Sequence, residues 1–377
     1  MQVLRTPYIP LLALVLTALT PVRAAAQAIP GPCEPGVLPS GALSLICIPT
    51  VGWNGDLVVF AHGYVDVREP LDFQNVTLRD GNSIPLLVQS LGFAFATTSY
   101  RQNGLAILEG ADDIRELVAA FTTEVATPGR TYVTGVSEGG LVAALLAERS
   151  PELFAGALAA CGPIGSFRGQ VDYLGDFRVL FDYYFPGVIP GSAIAIPPPV
   201  IARWESTYVP AILAALASDP AAEAELLAVA GVPFVFETPA TRAQTIVGIL
   251  WYNVHATNDA RHKLGGNAFS NKDRVYTGSS DDADLNRHVH RFNASPRALA
   301  ALGEYETSGN LTIPMVALHT VGDEIVPADH VLLYGAKVQP TGRGVFIPTL
   351  ITRDGGRHCN FSTLQVLLAF LNLGAFS

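Results

Sequence analysis

Residues 131–149 constrain this chain more than any other stretch. Thr131-Tyr132-Val133-Thr134 is a β-branched and aromatic run, and Gly135-Val136-Ser137-Glu138-Gly139 sets glycine on either side of a serine. An alanine- and leucine-rich helical pattern follows over 140–149. A strand that turns so tightly into a helix belongs to a βα unit, whose strand lies beside parallel neighbours. Such a turn puts Ser137 at the carboxyl end of its strand in a strained conformation. Gly135 and Gly139 follow from crowding, because a Cβ at either would meet the adjoining strand or helix. The helix aims its N-terminus and the Glu138 amide at the space before the serine hydroxyl. The bland alternative is a tight turn whose serine does nothing.

The same texture recurs along the chain. Apolar runs at 42–48, 57–60, 93–98, 132–136, 155–161, 313–319 and 345–351 lack strict alternation, as strands covered on both faces do. Helical patterns at 112–123, 140–149, 328–337 and 361–373 fall between them. The expected fold is α/β, a doubly wound and mostly parallel sheet. The alternation stops after Cys161 and resumes near Leu311. Between them lie Pro197-Pro198-Pro199, alanine-rich helices at 211–217 and 221–230, Trp251-Tyr252 and a polar loop over 267–284. This reads as a mostly helical cap over the carboxyl ends of the strands. The expected division is a signal peptide at 1–26, core at 27–161, cap insertion at 162–306 and core again at 307–377.

The signal peptide rests on Arg5, an apolar stretch over 11–19 and Ala24-Ala25-Ala26 before Gln27. That stretch is too short to span a bilayer, so the expectation is a soluble product, secreted or periplasmic, without stable membrane insertion. The net charge of −10, with no cluster of Lys and Arg, argues against nucleic acid as a partner. The four cysteines Cys33, Cys47, Cys161 and Cys359 are an even count in an exported chain and suggest two disulfides. Three connectivities are open. Local pairing favours Cys33–Cys47, which leaves Cys161–Cys359. No Cys-x-x-Cys or His-x-x-x-His spacing supports a metal. Asp281-Asp282-x-Asp284 lacks the glycine and terminal glutamate of a calcium loop. Asn75, Asn293, Asn310 and Asn360 sit in Asn-x-Ser/Thr patterns, which matter only where the host glycosylates exported chains.

A serine nucleophile needs a base, an acid to orient that base, and donors for an oxyanion. Asp323 follows a strand pattern in Val321-Gly322-Asp323-Glu324-Ile325-Val326-Pro327, where an orienting carboxylate would sit; Glu324 and Asp354 compete with it. His358, in Gly355-Gly356-Arg357-His358-Cys359, stands on a glycine-rich loop before the final helix and can reach back to the serine. The Glu138 amide and the Tyr64 amide, the latter in Phe60-Ala61-His62-Gly63-Tyr64, are the candidate oxyanion donors. Tyr100, after the next strand, and Trp251 and Tyr252 in the cap are candidate substrate contacts. Arg101 reads as half of a surface ion pair. Cys161 ends the strand after the nucleophile helix, and Cys359 adjoins His358. Both are therefore placed at one sheet edge, with Cα atoms expected within about 7 Å.

Taken together, His62-Gly63, the 135–139 turn, Gly322-Asp323 with Val326-Pro327, and the late His358 resemble the α/β-hydrolase superfamily over roughly 40–161 and 307–375. The resemblance implies a serine hydrolase that needs no cofactor. The expected activity is cleavage of a small-molecule or polymer carboxylic ester through an acyl-enzyme, with Ser137, His358 and Asp323 in the lead. The alternatives are a peptidase or amidase of prolyl-oligopeptidase-like type, with Glu205 or Asp281 binding an ammonium, and a catalytically silent binding protein.

Overall fold

The computed structural model describes residues 28–233, 238–340 and 344–374. The expected signal peptide lies outside them. Eight strands form one sheet in the order β1-β2-β4-β3-β5-β6-β7-β8. They are β1 (Cys33–Val37), β2 (Leu43–Cys47), β3 (Leu57–Ala61), β4 (Ala94–Thr98), β5 (Thr131–Val136), β6 (Gly156–Ala160), β7 (Met315–Gly322) and β8 (Phe346–Gly356). From β4 onward through β3, β5, β6, β7 and β8 every pairing is parallel. β2 runs antiparallel to both β1 and β4. Strands β3, β4 and β6 are buried at every residue, which is why their sequences carry no alternation.

Helices α1 (Ile84–Ser90), α2 (Ile107–Glu124) and α3 (Glu138–Arg149) cover the first half of the sheet. The segment between β6 and β7 holds only helices among its described elements. These are α4 (Phe167–Tyr184), α5 (Pro198–Ala202), a π-helical turn at Trp204–Tyr208, α6 (Val209–Ser218), α7 (Pro220–Val229), α8 (Pro239–Lys263), α9 (Asp282–His288), α10 (Pro296–Leu302) and a 3-10 turn at Gly303–Tyr305. Two further helices, α11 (Asp329–Val338) and α12 (Thr363–Gly374), follow β7 and β8 in turn. The 162–306 segment has its own apolar core, built around Phe177, Phe181, Trp204, Ile249 and Leu250, and Ile325 and Val326 from the loop after β7 pack into it. The acidic run of that segment has a local explanation. Asp281 caps α9 by accepting from the Asp284 amide at 2.9 Å, and Asp284 accepts from the Tyr183 hydroxyl at 2.9 Å.

Both disulfides follow the pairing that local geometry favours. Cys33 and Cys47 face each other across the β1–β2 ladder with Cα atoms 4.1 Å apart. Cys161 and Cys359 are bonded with Cα atoms 5.4 Å apart. Among the described residues no helix is long and apolar enough to cross a membrane.

Candidate active site

The site is assembled by strand ends. Strand β5 runs out at Val136, and Ser137 takes φ 58° and ψ −121° before α3 begins. A serine at positive φ is strained, and the two glycines relieve the crowding around it. A Cβ on Gly135 would collide with the Gly139 carbonyl, and one on Gly139 with the carbonyls of Ala61 and His62. The Ser137 amide donates to the Ala160 carbonyl at 2.9 Å, so the turn is tied to β6 as well.

The acid and the base arrive on neighbouring strands. The β7–β8 ladder shifts register after Thr320 and ends on the pair Gly322 and Gly356. The Arg357 amide then donates to the Gly322 carbonyl at 3.0 Å, and the Thr320 hydroxyl to the Arg357 carbonyl at 2.9 Å. Asp323 and His358 follow directly on these paired ends, and they meet. The expected glycine-rich loop is thus the end of a strand, because Gly356 still pairs with Gly322. His358 Nδ1 lies 2.9 and 2.8 Å from the two Asp323 carboxylate oxygens, and its Nε2 lies 2.8 Å from Ser137 Oγ. With Nδ1 donating to the carboxylate, Nε2 is left as an acceptor facing the serine hydroxyl.

Asp323 is fully buried and accepts from the amides of Ile325 at 3.0 Å and Val326 at 2.9 Å. Burial alone would favour its protonated form. The neighbouring His358, with hydrogen bonds from His319 and His358, outweighs burial and holds the carboxyl well below the usual carboxylate range. Burial likewise disfavours a charged His358, but the Asp323 carboxylate raises its pKa above the ordinary imidazole value. Glu324 does not orient the histidine. Its Oε2 is buried without a partner among the described residues, and burial raises its pKa. The side chain of Asp354 lies outside the described residues.

Ser137, Glu138 and Tyr64 line one cavity of about 140 Å³ between the sheet and the helices α4 and α8. Its other walls are mainly apolar, Leu105, Phe167, Leu174 and Phe269 among them. Glu138 opens α3, so its amide is one of those a helix leaves without an intrahelical acceptor. The Tyr64 amide follows Gly63, whose own amide donates to Asn75 Oδ1 at 2.9 Å. Gly63 lies against Ser137: a Cβ there would sit 3.1 Å from Ser137 Cβ. Asn75 is the site residue that sequence reasoning passes over. It takes φ 56°, an unusual cost for a side chain that braces one loop amide. The Glu138 carboxyl accepts from the Ala106 amide at 2.8 Å, and burial pushes its pKa up to about 8.

The candidate substrate contacts separate. Tyr252 lines the 140 Å³ cavity and stands edge-on to His358, ring centroids 6.5 Å apart. Trp251 faces a different cavity, shared with Tyr64. Tyr100 is a correction: it is 1% exposed, lies behind the loop stacked 3.9 Å from His62, and donates to the His62 carbonyl at 3.1 Å. It shapes the 62–64 turn and lines neither of these cavities. Arg101 pairs with the buried Asp113, its Nε donating at 2.7 Å. Among the described residues the one cluster with metal-ligand spacing is Cys161, His358 and Cys359, and its two sulfurs are bonded to each other.

No family model matches the chain, and no curated protein does. Among solved structures it is similar to an acylaminoacyl peptidase of Pyrococcus horikoshii, at 12% identity and TM-score 0.44 over 93% of this chain. The chain matches only 41% of that peptidase's length. It is similar to an esterase of Pyrococcus furiosus at 11% identity and TM-score 0.47, covering 93% of this chain and 90% of the esterase. A third similar structure is the mouse alpha/beta hydrolase domain-containing protein 10, at 13% identity and TM-score 0.41, over 92% of this chain and 98% of that one. The strand order, the antiparallel β2, and the strained serine between the fifth strand and its helix are this chain's own observations, and they give it the α/β-hydrolase fold.

Proposed function

We propose that this protein is an exported serine hydrolase that cleaves carboxylic esters, secreted or periplasmic, with Ser137 as nucleophile, His358 as base and Asp323 as the orienting acid. The observation that carries the reading is the continuous hydrogen-bond chain from Ser137 Oγ through both nitrogens of His358 to Asp323. His358 Nε2 takes the hydroxyl proton as Ser137 attacks the acyl carbon. The tetrahedral oxyanion is received by the amides of Glu138 and Tyr64. Collapse expels the alcohol, protonated by His358, and leaves the acyl group on Ser137. Water activated by the same nitrogen then releases the acid.

The cavity beside Ser137 is mainly apolar and suits an acyl chain, which supports the ester reading. Asp281, one of the two acids considered for an ammonium, is engaged as the cap of α9. The test is Ser137→Ala in purified mature protein. The expected result is a loss of several orders of magnitude in kcat on p-nitrophenyl butyrate with an unchanged melting curve, together with loss of labelling by a fluorophosphonate. Undiminished turnover by the alanine variant would remove Ser137 from the mechanism.

A further inference from the structure

The cavity beside Ser137 has a shape as well as a lining. Helix α8 crosses it with Tyr252, Ala256, Thr257, Ala260 and Leu264 in its wall, a spacing that sets all five on one helix face. From Tyr252 to Leu264 that face runs rather more than three turns, about 18 Å. Helix α4 meets it with Phe167, Val171 and Leu174, again one face at helical spacing. Apart from Leu264, each of these side chains keeps part of its surface uncovered, whereas Ile249, Leu250 and Val254 on the rest of α8 are fully buried. Two mainly apolar faces therefore look at each other across a slot. Arg178 Nη1 donates to Asn253 Oδ1 at 3.4 Å and ties the two helices together.

The main polar side chains in the wall are engaged with the backbone. Gln170 Nε2 donates to the Ile325 carbonyl at 2.8 Å, and Asn253 Nδ2 to the Ala193 carbonyl at 3.0 Å. Asn267 Nδ2 donates to the Phe269 carbonyl at 2.7 Å, and Arg261 Nη1 to the Ile194 carbonyl at 2.6 Å. The Glu138 carboxyl accepts from the Ala106 amide at 2.8 Å, and its pKa of about 8 leaves it mostly uncharged near neutral pH. The slot thus offers a ligand chiefly apolar surface.

Ser137 stands partway along it. Tyr252 is edge-on to His358, whose Nε2 meets Ser137 Oγ. On the other side Glu138 holds the Ala106 amide, and the adjacent Leu105 amide donates to Asp259 Oδ2 on α8 at 2.8 Å. The serine is therefore bracketed between the levels of Tyr252 and Asp259, near the turn that carries Ala256, and the slot continues past it. From Ala256 to Leu264 is about 12 Å of helix. Leu105, Leu264 and Ala268 shut that end, being 6%, 2% and 7% exposed and part of the main apolar core. Because His358 must also protonate the leaving alcohol, the alcohol departs on the His358 side and the acyl chain points the other way, toward Ala260 and Leu264.

We infer that the slot selects acyl chains by length: the acyl half of the ester lies extended along α8 beyond Ser137, and medium-length groups, octanoyl and its near neighbours, are preferred over both short and long ones. The inference rests on the ester-hydrolase reading and names its substrate class. A short chain leaves the faces of Ala260 and Phe167 in water, and each further methylene they cover is worth up to roughly fourfold in kcat/KM. An extended octanoyl chain is about as long as the stretch from Ala256 to Leu264. A palmitoyl chain exceeds it and meets the buried end. The small side chains of Ala256 and Ala260 leave the room, so a larger group at either position would fill the slot.

The experiment is a series of p-nitrophenyl esters, butyrate, octanoate and palmitate, in the same detergent buffer. Wild type should show kcat/KM at least roughly tenfold higher for octanoate than for butyrate, with palmitate below octanoate. Ala260→Phe sets a ring across the slot one turn beyond Ala256 and should cut the octanoate-to-butyrate ratio by roughly tenfold. Ala260→Leu, a smaller plug, should cut it by roughly threefold and carries the test where the phenylalanine variant fails to fold. Leu264→Ala opens the buried end and should raise the palmitate-to-octanoate ratio by roughly threefold. A substitution that only loosened the fold would lower all the esters together and leave the ratios alone. A flat profile across the series, a rate that keeps climbing to palmitate, or an octanoate-to-butyrate ratio that survives in both Ala260 variants would overturn the inference. If Ser137 fails to label with a fluorophosphonate, the hydrolase reading fails and the chain-length assignment with it. Labelling with a flat profile sinks the chain-length assignment alone.

Discussion

Cys359 Sγ lies 3.3 Å from His358 Nε2, the same nitrogen that meets Ser137 Oγ at 2.8 Å. The Cys161–Cys359 disulfide therefore lies against the ring nitrogen of the proposed base that faces Ser137, and its other half, Cys161, directly follows β6, whose Ala160 carbonyl accepts from the Ser137 amide. Both cysteines take positive φ, 46° and 53°, as do Ser137 and Arg357. The bond ties the strained end of β6 to the strained turn that carries His358.

Replacing both Cys161 and Cys359 by serine should therefore cost more than stability. The expected outcome is a fall of roughly tenfold in kcat with KM little changed, and a melting temperature lower by roughly 5 °C or more. Thermal melts and ester kinetics on the same preparation check both halves. A double variant that melts lower but keeps full kcat would confine the bond to a stabilising role.

Asp323→Asn should leave the backbone in place and lower kcat by roughly 10³- to 10⁴-fold, the size of effect expected when an imidazole loses its orienting carboxylate. The amides of Ile325 and Val326 can still find an oxygen at that position, but His358 can no longer be held with its proton on Nδ1. Circular dichroism beside single-turnover rates separates lost chemistry from lost folding.

The pH–rate profile should fall on its acid side. As the proposed base His358 would act only when neutral, and Asp323 raises its pKa above the usual 6.5 despite the opposing effect of burial. Activity is therefore lost as pH drops through a value above 6.5, and Asp323→Asn should move that limb to lower pH. A limb that stays in place in the variant would mean that another group sets it.

Glu138 gives a stability prediction of definite sign. Burial, with Asp259 and Glu109 nearby, raises its folded-state pKa from 4.5 to about 8, against the Ala106 amide and Lys263. Between those values the folded chain holds a proton that the unfolded chain has lost, so this group's contribution falls as pH rises from about 4.5 through about 8. The change is on the order of a few kcal/mol. Glu138→Gln can still accept from the Ala106 amide and should flatten that part of the curve, as denaturant titrations at several pH values would show.

Asn75→Ala removes the acceptor that holds the Gly63 amide. The loop bearing the Tyr64 amide should then lose its set, with kcat down by roughly tenfold and KM nearly constant, because an oxyanion donor acts mainly in the transition state. Steady-state kinetics across an ester series would reveal it; a change confined to KM would assign Asn75 to substrate binding.

The strands from β2 onward are readable in the sequence because they are the apolar runs that a mostly parallel core requires. β1 is not, since Cys33-Glu34-Pro35-Gly36-Val37 is an exposed edge whose pairing goes with a disulfide partner across the ladder. Helix α4 hides because its polar residues meet partners of their own: Arg178 pairs with Asp182, and Gln170 donates to the Ile325 carbonyl at 2.8 Å. At the site, Ser137, Asp323 and His358 each stand near glycines that betray a sharp backbone. Asn75 contributes a single hydrogen bond to the loop and has no such mark. Tyr100 deceives because a residue just past a strand end can turn to either side, and this one turns under the loop to stack on His62.

The helical segment between β6 and β7 supplies walls to both cavities yet none of Ser137, Asp323 or His358. Much of the wall beside Ser137 is thus written in a different passage of the chain from the three residues of the proposed triad. Under the proposed function, drift in wall residues such as Phe269 or Leu174 would change what fits beside Ser137 while the Ser137–His358–Asp323 hydrogen-bond chain stays whole, so descendants of such a scaffold could diversify without first passing through an inert ancestor.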